Sequence, residues 1–424
     1  MTTDRHFLFL QGPHGPFFAQ LAGALRKTGA RVWRVGFNAG DQAFWRGSGY
    51  ISYLGKPAGW TDKLRDLITR HRITDLVLYG DIRPIHADAI AIAKSAGLRV
   101  HVFEEGYLRP YWVTYERGGS NGHSRLMDMS VDDMRTALAT SDHDMHPPPA
   151  VWGDMRQHIF YGAIYHWFVL FRNRRYRNFV THRDLSVARE ATLYTKRLLT
   201  MPFGAAARFF AQRRIHRGGF PYHLALLQLE HDASFQAHSP FTDMAAFLAL
   251  VVDGFAKGAP PHHHLVLKAH PLEIGRLPLR RIIGRMAAEN GIANRVHFVR
   301  GGKLASLLDQ ARSAVTVNST AAQQALWRGI PLKAFGTAVF DKPEFVSDQS
   351  LPDFFANPRR PQTQAYRSYR RFLLDTCQVP GGFYSARGRR QLLREVVDMM
   401  LADTDPYDAL GRGTPRRDLR IVAQ

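Results

Sequence analysis

Residues 75–106, DLVLYGDIRPIHADAIAIAKSAGLRVHVFEEG, hold one complete strand–helix–strand passage of the chain. Asp75–Tyr79 and Arg99–Phe103 are short apolar runs of strand length, and Ile85–Ala96 between them carries apolar residues at helical spacing. Strands that read as continuous apolar runs, separated by a helix of ten to fifteen residues, are buried on both faces and parallel. The same alternation continues upstream. Phe7–Leu10 is a strand ending in Gln11-Gly12-Pro13-His14-Gly15-Pro16. Phe17–Lys27 is helical through Phe17, Leu21 and Leu25, Arg31–Gly36 resumes a strand, and Thr61–His71 is a helix.

Downstream the strand signal disappears from Val131 to about Gly219, with a loop at Pro147-Pro148-Pro149 and helical pattern elsewhere. It returns at Tyr222–Leu229, and the alternation repeats. Strands are expected at Leu265–Ala269, Arg295–Val299, Ala314–Val317 and Pro331–Phe335, with helices at Asp243–Ala256, Leu279–Asn290, Lys303–Ala311 and Ala321–Trp327. Arg367–Cys377 and Ala386–Leu401 read as closing helices and Thr404–Gln424 as a polar tail. The expected fold is α/β and GT-B-like: two Rossmann-like domains facing a central cleft, with a helical insertion. The segments are 1–130, 131–220, 221–360 and 361–424. Several non-transferase folds share that outline, so fold alone does not settle function.

At 424 residues the chain fits two domains of ordinary size. Hydrophobic residues make up 45% and charged residues 22%, which excludes disorder as the default. The one cysteine, Cys377, excludes an intramolecular disulfide framework and any Cys-based zinc cluster. No basic n-region with an apolar core and small-residue cleavage site opens the chain, so it reads as lacking a signal peptide. The longest apolar stretches, around Tyr161–Phe171 and Met244–Val252, fall short of the roughly 20 residues that span a bilayer. The chain is expected to be cytoplasmic and soluble or peripheral.

Net charge is +21, a field that attracts nucleic acid, anionic lipid or acidic substrates. Between Arg172 and Arg217 twelve Lys/Arg stand against Asp184 and Glu190, a net +10. Phe171, Tyr176, Phe179, Leu198, Leu199, Met201, Phe203, Phe209 and Phe210 interleave them. Basic and apolar residues in one segment compose an interfacial membrane element, or else a solvated basic face whose aromatics turn into the core.

Three constellations fall at expected strand ends. Glu104-Glu105-Gly106 follows Arg99–Phe103; adjacent carboxylates repel, and glycine there permits close approach of a ligand. Lys268-Ala269-His270-Pro271 closes a second strand and offers two groups that can face a phosphate. Asn318-Ser319-Thr320 lies between a strand and a helix, where Ser319 or Thr320 caps free N–H groups that suit an anion. Each has a plain structural alternative: an acidic turn, a structural histidine, an ordinary N-cap.

Taken together, acidic-acidic-Gly, then His-Pro, then Ser/Thr resembles the pattern of bacterial sialyltransferases, which use CMP-activated sugars. Longer strings sharpen the likeness. Gln11-Gly12-Pro13, Glu104-Glu105-Gly106-Tyr107-Leu108-Arg109-Pro110, Thr114-Tyr115-Glu116 through Gly119, Asn121 and Gly122, and Leu227-Gln228 followed by Asp232, Ser239 and Phe241 resemble capsular polysaccharide Kdo transferases of the KpsS/LipB type. The resemblance spans residues 7–335 and is weakest in the helical middle. It implies a retaining β-Kdo transferase that moves Kdo from CMP-Kdo onto (lyso)phosphatidylglycerol and starts the oligo-Kdo linker of a capsule lipid. The N-terminal domain would be the acceptor side and the C-terminal one the nucleotide-sugar side.

Retention requires a carboxylate nucleophile with a second displacement, or same-face attack. Glu105 and Glu116 are the candidates for nucleophile and acid/base, with Asp81 in reserve. The substrate-binding candidates are Gln11, Gly12, Pro13, Glu104, Gly106, Arg109, Asn121, Gln228, Asp232, Ser239, Lys268, His270, Pro271, Asn318, Ser319 and Thr320. No HExxH, P-loop or GxGxxG is present, and His262-His263-His264 reads as a loop before a strand, so neither a metal nor a cofactor is expected. The expected partners are a nucleotide-sugar donor, an anionic glycerophospholipid, the inner face of the cytoplasmic membrane and other capsule proteins. Nucleic acid is not expected, since no recognition module accompanies the charge. The rival readings are another CMP-sugar transferase (a sialyltransferase or a chain-extending Kdo transferase), a sugar epimerase, and a non-catalytic subunit that binds capsule lipid for export.

Overall fold

A computed structural model describes residues 4–140, 155–180, 192, 209–273 and 275–419. The Pro147-Pro148-Pro149 loop and most of the basic stretch between Val180 and Phe209 lie outside the described residues. The chain divides into two units, Met1–Val187 with Tyr369–Gln424, and Ala188–Ser368.

In the first unit β1 (His6–Phe9), α1 (Phe17–Lys27), β2 (Arg31–Gly36), α2 (Ala39–Ala43), β3 (Tyr50–Ser52), α3 (Trp60–His71), β4 (Asp75–Tyr79), α4 (Pro84–Ser95), β5 (Arg99–Glu105) and β6 (Trp112–Arg117) follow in order. Then come α5 (Val131–Ala139) and α6 (Met155–Phe171). The sheet runs β12-β6-β5-β4-β1-β2-β3, where β12 is Gln378–Pro380. β1 to β5 run parallel to one another, while β6 is antiparallel to both β5 and β12.

Side-chain alternation divides the core in two. Phe7, Phe9, Val77, Phe103, Val113 and Tyr115 pack with α1 and with Leu392, Val396 and Met399 of the helix Ala386–Leu401. Leu8, Leu10, Leu76, Leu78, Val100 and Val102 pack with Leu64 and Leu67 of α3 and Ala89 and Ala93 of α4. At the amino edge of β4, buried Asp75 accepts from Arg5 and from His101 Nε2 at 2.7 Å. Burial raises a carboxyl pKa, but these two donors overcome it and hold Asp75 well below its usual range.

The C-terminal segment belongs to this first unit. After the helix Thr363–Thr376, β12 adds an edge to the sheet, Tyr115 N–H donates to the Cys377 carbonyl at 2.9 Å, and Gln378 bridges the Leu108 N–H and the Thr114 hydroxyl. The helix Ala386–Leu401 is where the sequence pattern puts it, but it closes the N-terminal sheet rather than forming a separate segment. β3 and β12 are three residues each, too short to show a period, and β6 escapes the pattern because every second residue is Trp, Thr or Glu yet five of its six are buried.

The second unit holds β7 (Tyr222–Leu226), β8 (His264–Lys268), β9 (Val296–Val299), β10 (Ala311–Thr316) and β11 (Leu332–Ala334), in the order β11-β10-β7-β8-β9, all parallel. Its core joins Leu265, Leu267, Val315 and Val317 to the helices Met244–Gly258, Leu279–Glu289 and Leu351–Ala356. Two α/β units, one on a mostly parallel sheet and one on an all-parallel sheet, fit the expected GT-B-like class. At the amino edge His223 is buried between Ser313 Oγ at 2.8 Å and His263 Nδ1 at 3.0 Å. Burial pushes the His223 pKa down to about 3 and that of His263 to about 4.

Both rings are neutral in the fold and charge when the chain unfolds, so their contribution is present above pH 6.5 and is lost as pH falls toward 4. Thermal denaturation is expected to show a falling melting temperature over that window, with a shallower fall in His223→Gln. An equal slope in the variant contradicts the assignment.

Candidate functional site

In an open parallel sheet, ligands bind outside the carboxyl ends where the strand order reverses. The first sheet reverses between β1 and β4, because β2 and β3 extend one way and β5 the other. Gln11-Gly12-Pro13 follows β1 and Gly80-Asp81 follows β4. The buried Gln11 side chain spans the gap: its Nε2 donates to Asp41 at 3.0 Å and its Oε1 accepts from Arg83 at 3.4 Å. Gly80 has a φ of +70°, which strains any residue with a side chain, and a Cβ there would lie 3.3 Å from Glu104 Oε2.

β5 runs to Glu105, so the carboxylate pair is the end of the strand rather than a turn after it. Glu104 pairs with Thr114 and Glu105 with Val113, which places the two side chains on opposite faces. Glu105 lies on the α1 side, half-buried, and its Oε1 accepts from the hydroxyls of Tyr79 at 3.3 Å and Tyr384 at 3.2 Å. Glu104 turns to the other face and accepts the Glu105 N–H at 2.9 Å. Gly106 admits no side chain: a Cβ would lie 2.2 Å from the Trp112 carbonyl oxygen. Arg109 is exposed and donates back to the Gly106 carbonyl at 3.2 Å.

Glu116 is elsewhere. It pairs with Val102, three residues along β6 from the Glu105 partner and on the opposite face. It is 1% exposed and its two oxygens accept from Tyr107 at 2.6 Å, Tyr407 at 2.8 Å and Ser124. Burial raises its pKa to about 7, against the lowering by those three hydroxyls. Asn121 belongs to the same network, donating its backbone N–H to Tyr107 Oη at 2.6 Å. The structure therefore does not bring Glu105 and Glu116 together. Asp81 is the carboxylate with spare capacity. Its Oδ2 accepts from the Ser120 N–H at 2.8 Å and faces His123 Nδ1 at 3.2 Å, while its buried Oδ1 has no donor among the described residues.

The second sheet reverses between β7 and β10, and the sequence candidates gather there. Gln228 and Asn318 join the two strand ends reciprocally: Gln228 Nε2 donates to Asn318 Oδ1 at 2.7 Å, and the Asn318 N–H donates to Gln228 Oε1 at 2.9 Å. Asn318 Nδ2 also holds the Ser234 and His238 carbonyls. Asp232 caps the short helix Ala233–His238, and Ser239 Oγ accepts the Phe241 N–H at 3.0 Å. These four residues, Gln228, Asp232, Ser239 and Asn318, brace the loops that follow β7 and β10. Ser319 caps a 3-10 turn, Thr320–Ala322, that runs on directly into the helix Gln323–Trp327, where the sequence pattern puts a helix; Ser319 and Thr320 are partly exposed.

Lys268 ends β8, the strand next to β7. Its ammonium is buried, with one long bond to the Ala269 carbonyl at 3.5 Å, and burial lowers its pKa. His270 Nδ1 accepts the Leu272 N–H at 3.1 Å, which orients the ring, and Pro271 is exposed behind it. A desolvated cation gains most from an anion that replaces its lost water. His262-His263-His264 supplies amino-edge packing, with His264 Nδ1 2.8 Å from His297 Nε2. Among the described residues no group of three His, Cys, Asp or Glu is arranged to hold a metal.

Sequence reasoning missed Tyr79, Tyr384 and Arg83. The Arg83 guanidinium lies 5.9 Å from the Tyr79 ring centre and reaches Gln11. The doublet Arg83-Pro84, which opens α4 and echoes Arg109-Pro110, is the signal that could have found it. Nothing local marks Tyr384, which comes from 279 residues beyond Glu105.

The family model for capsule polysaccharide biosynthesis proteins matches residues 74–384, from the residue before β4 to the Tyr384 that reaches Glu105. The capsule polysaccharide export protein KpsS of Escherichia coli is 30% identical over 390 residues, covering 91% of this chain and 98% of its own. The capsule polysaccharide modification protein LipB of Neisseria meningitidis is 29% identical, with 91% and 93% covered. A solved structure of KpsC from Thermosulfurimonas dismutans, described as a beta Kdo 2,7 transferase, aligns with a TM-score of 0.43 at 12% identity, covering 93% of this chain and all of that one.

The Glu116 environment has a measurable signature. Its folded pKa of about 7 lies above the ordinary 4.5, so folding carries a cost that is absent below pH 4.5 and complete above pH 7, amounting to roughly 3 kcal/mol at about 1.4 per unit. Glu116→Gln removes this dependence. Its stability relative to wild type is expected to improve from pH 5 to pH 8 in denaturant titrations, and a difference that does not move with pH contradicts the assignment.

Proposed function

The chain belongs to the capsule polysaccharide biosynthesis protein family, and from that premise we propose that it is a retaining β-Kdo transferase. It moves Kdo from CMP-Kdo onto (lyso)phosphatidylglycerol at the inner face of the cytoplasmic membrane and starts the oligo-Kdo linker of a capsule lipid. The observation that carries this reading is the chemistry of the two strand-order reversals: carboxylates at the first and a buried cation with a partly exposed cap at the second.

In the second unit Lys268, His270 and the Ser319–Thr320 turn receive the CMP phosphate, and no divalent ion is needed to neutralise it. In the first unit Asp81 and Glu105 do the chemistry. Asp81, whose Oδ1 has no donor among the described residues, attacks the anomeric carbon as the bond to CMP breaks and the nucleotide leaves with its phosphate charge. Glu105 then takes the proton of the acceptor hydroxyl, whose oxygen displaces the Asp81 carboxylate. Two inversions give net retention. Glu116, buried with both carboxylate oxygens bonded to hydroxyls, is a structural group in this scheme.

Among the described residues no helix is long and apolar enough to cross a membrane, and the +21 charge draws the chain to anionic lipid. Donor, acceptor head group and membrane surface are all anionic, which one cationic protein matches.

The test is a donor-by-acceptor assay: CMP-Kdo and CMP-sialic acid, each against lysophosphatidylglycerol and against Kdo-primed lipid. Turnover is expected with CMP-Kdo and lysophosphatidylglycerol. Turnover on Kdo-primed lipid alone makes the chain an extender, and binding without turnover makes it an export subunit; either contradicts the proposal.

Asp81→Asn and Glu105→Gln are each expected to lower turnover at least about a hundredfold while CMP affinity in calorimetry is unchanged. Glu116→Gln should stay within about threefold of wild type. Conversely, His270→Ala and Ser319→Ala are expected to weaken CMP binding by roughly 1–3 kcal/mol each. Equal CMP affinity in both, or a dead Glu116→Gln with live Asp81→Asn, contradicts the division of roles.

A further inference from the structure

α6 is apolar on both faces, and only one is used. Its inward face packs on the carboxyl edge of the first sheet. Tyr161 lies against Gly15 and under the Arg389 guanidinium; Tyr165 stacks on His14 at 4.3 Å, accepts from Asn38 at 2.7 Å and crowds Gly40 so closely that a Cβ there would lie 2.6 Å from the ring. His158 stacks on Tyr384 at 4.2 Å, and Tyr384 is the residue that donates to Glu105.

The opposite face is bare. Ile159, Phe160, Ala163, Trp167, Leu170 and Phe171 recur at intervals of three and four, so they form one stripe along the helix. Ile159 and Phe171 are 62% and 63% exposed, Phe160 59% and Trp167 47%. Of the seven exposed large apolar side chains described in this unit, five are on α6, so the exposure is concentrated rather than the scatter normal for a surface.

Charge tells what covers it. Arg156 precedes the stripe, and Arg172, Arg174, Arg175 and Arg177 follow it, all exposed. No acidic residue occurs between Met155 and Val180, and among the described residues none of these arginines has an ion pair. They are held in place: Asn173 Oδ1 accepts the Ala39 N–H at 2.9 Å, and buried Tyr176 bonds Tyr50, Ser52 and Gln42. A second copy on this face would bring like charges together, whereas an anionic bilayer neutralises them while it takes up the stripe. The helix of 17 residues is too short to span, and an exposed Trp beside Phe suits the head-group boundary.

We propose that the outward face of α6 docks in the interface of an anionic phospholipid bilayer, lying in its plane, with the arginines of 172–177 on lipid phosphates. This extends the reading of a membrane-lipid acceptor. The helix on the bilayer is then the same helix that, through His158 and Tyr384, touches the Glu105 position.

The full chain is tested by co-sedimentation with vesicles of phosphatidylcholine alone and with phosphatidylserine, an anionic lipid that is not the proposed acceptor, with no donor present. Binding to the anionic vesicles is expected, falling at least tenfold in a Phe160→Ser, Trp167→Ser, Phe171→Ser variant of unchanged circular dichroism. Bromine-labelled lipid should quench wild-type tryptophan fluorescence and lose most of that quenching in Trp167→Phe, a reading that stands even if the triple variant fails to fold. Unchanged binding in the folded triple variant overturns the proposal, as does wild-type quenching retained in Trp167→Phe. A wild-type dimer that the triple variant converts to monomer without loss of vesicle binding also overturns it, in favour of a second copy. If vesicle binding behaves as expected and the donor-by-acceptor assay fails, the docking face stands and the transferase reading falls.

Discussion

A parallel sheet places all its carboxyl ends on one edge, and a reversal of strand order leaves two neighbouring loops with no crossover between them. Each sheet of this protein has one such reversal, and each is closed by a side-chain amide. Gln11 ties the β1 loop to Asp41 and Arg83, and Gln228 exchanges two hydrogen bonds with Asn318. These amides are buried with their polar atoms satisfied, so the loops they join cannot drift without leaving donors and acceptors unpaired. Asp81, two residues before Arg83, and Ser319, next to Asn318, lie in the loops so joined.

The two reversals differ in charge. The first gathers Asp81, Glu104 and Glu105 under tyrosine hydroxyls and the Arg83 guanidinium. The second presents Lys268, nearly stripped of water, beside an oriented His270 and a capped turn. Electrostatic stabilisation of a leaving phosphate belongs with cations in low dielectric, and covalent work at a sugar carbon belongs with a carboxylate that has an uncommitted oxygen. Glu116 shows the opposite condition, a carboxylate so fully bonded that its pKa, not its reactivity, is its visible property.

Much of this was legible in the sequence where period and burial coincide. β2, β4, α1 and the helix Ala386–Leu401 fall where the apolar spacing puts them, and the strand-end motifs lie at strand ends. What the sequence could not carry is long-range. Tyr407 and Tyr384 complete the surroundings of Glu116 and Glu105 from 291 and 279 residues away, so the contrast between the two glutamates is invisible in the motif that contains them. The opposite faces of Glu104 and Glu105, by contrast, follow from strand alternation alone. In α6 the apolar residues on the packed face and on the bare face cancel any amphipathic signal, so periodicity marks neither.

The central claim is that ligand chemistry is divided between the two reversals, with the nucleotide held by the second. Hydrogen–deuterium exchange with and without CMP tests it without assuming turnover. Protection is expected in the amides that follow β7, β8 and β10, at residues 227–229, 269–272 and 318–322, with residues 80–83 and 104–108 unchanged. Protection at 80–83 and 104–108 with none after β8 and β10 would contradict the account.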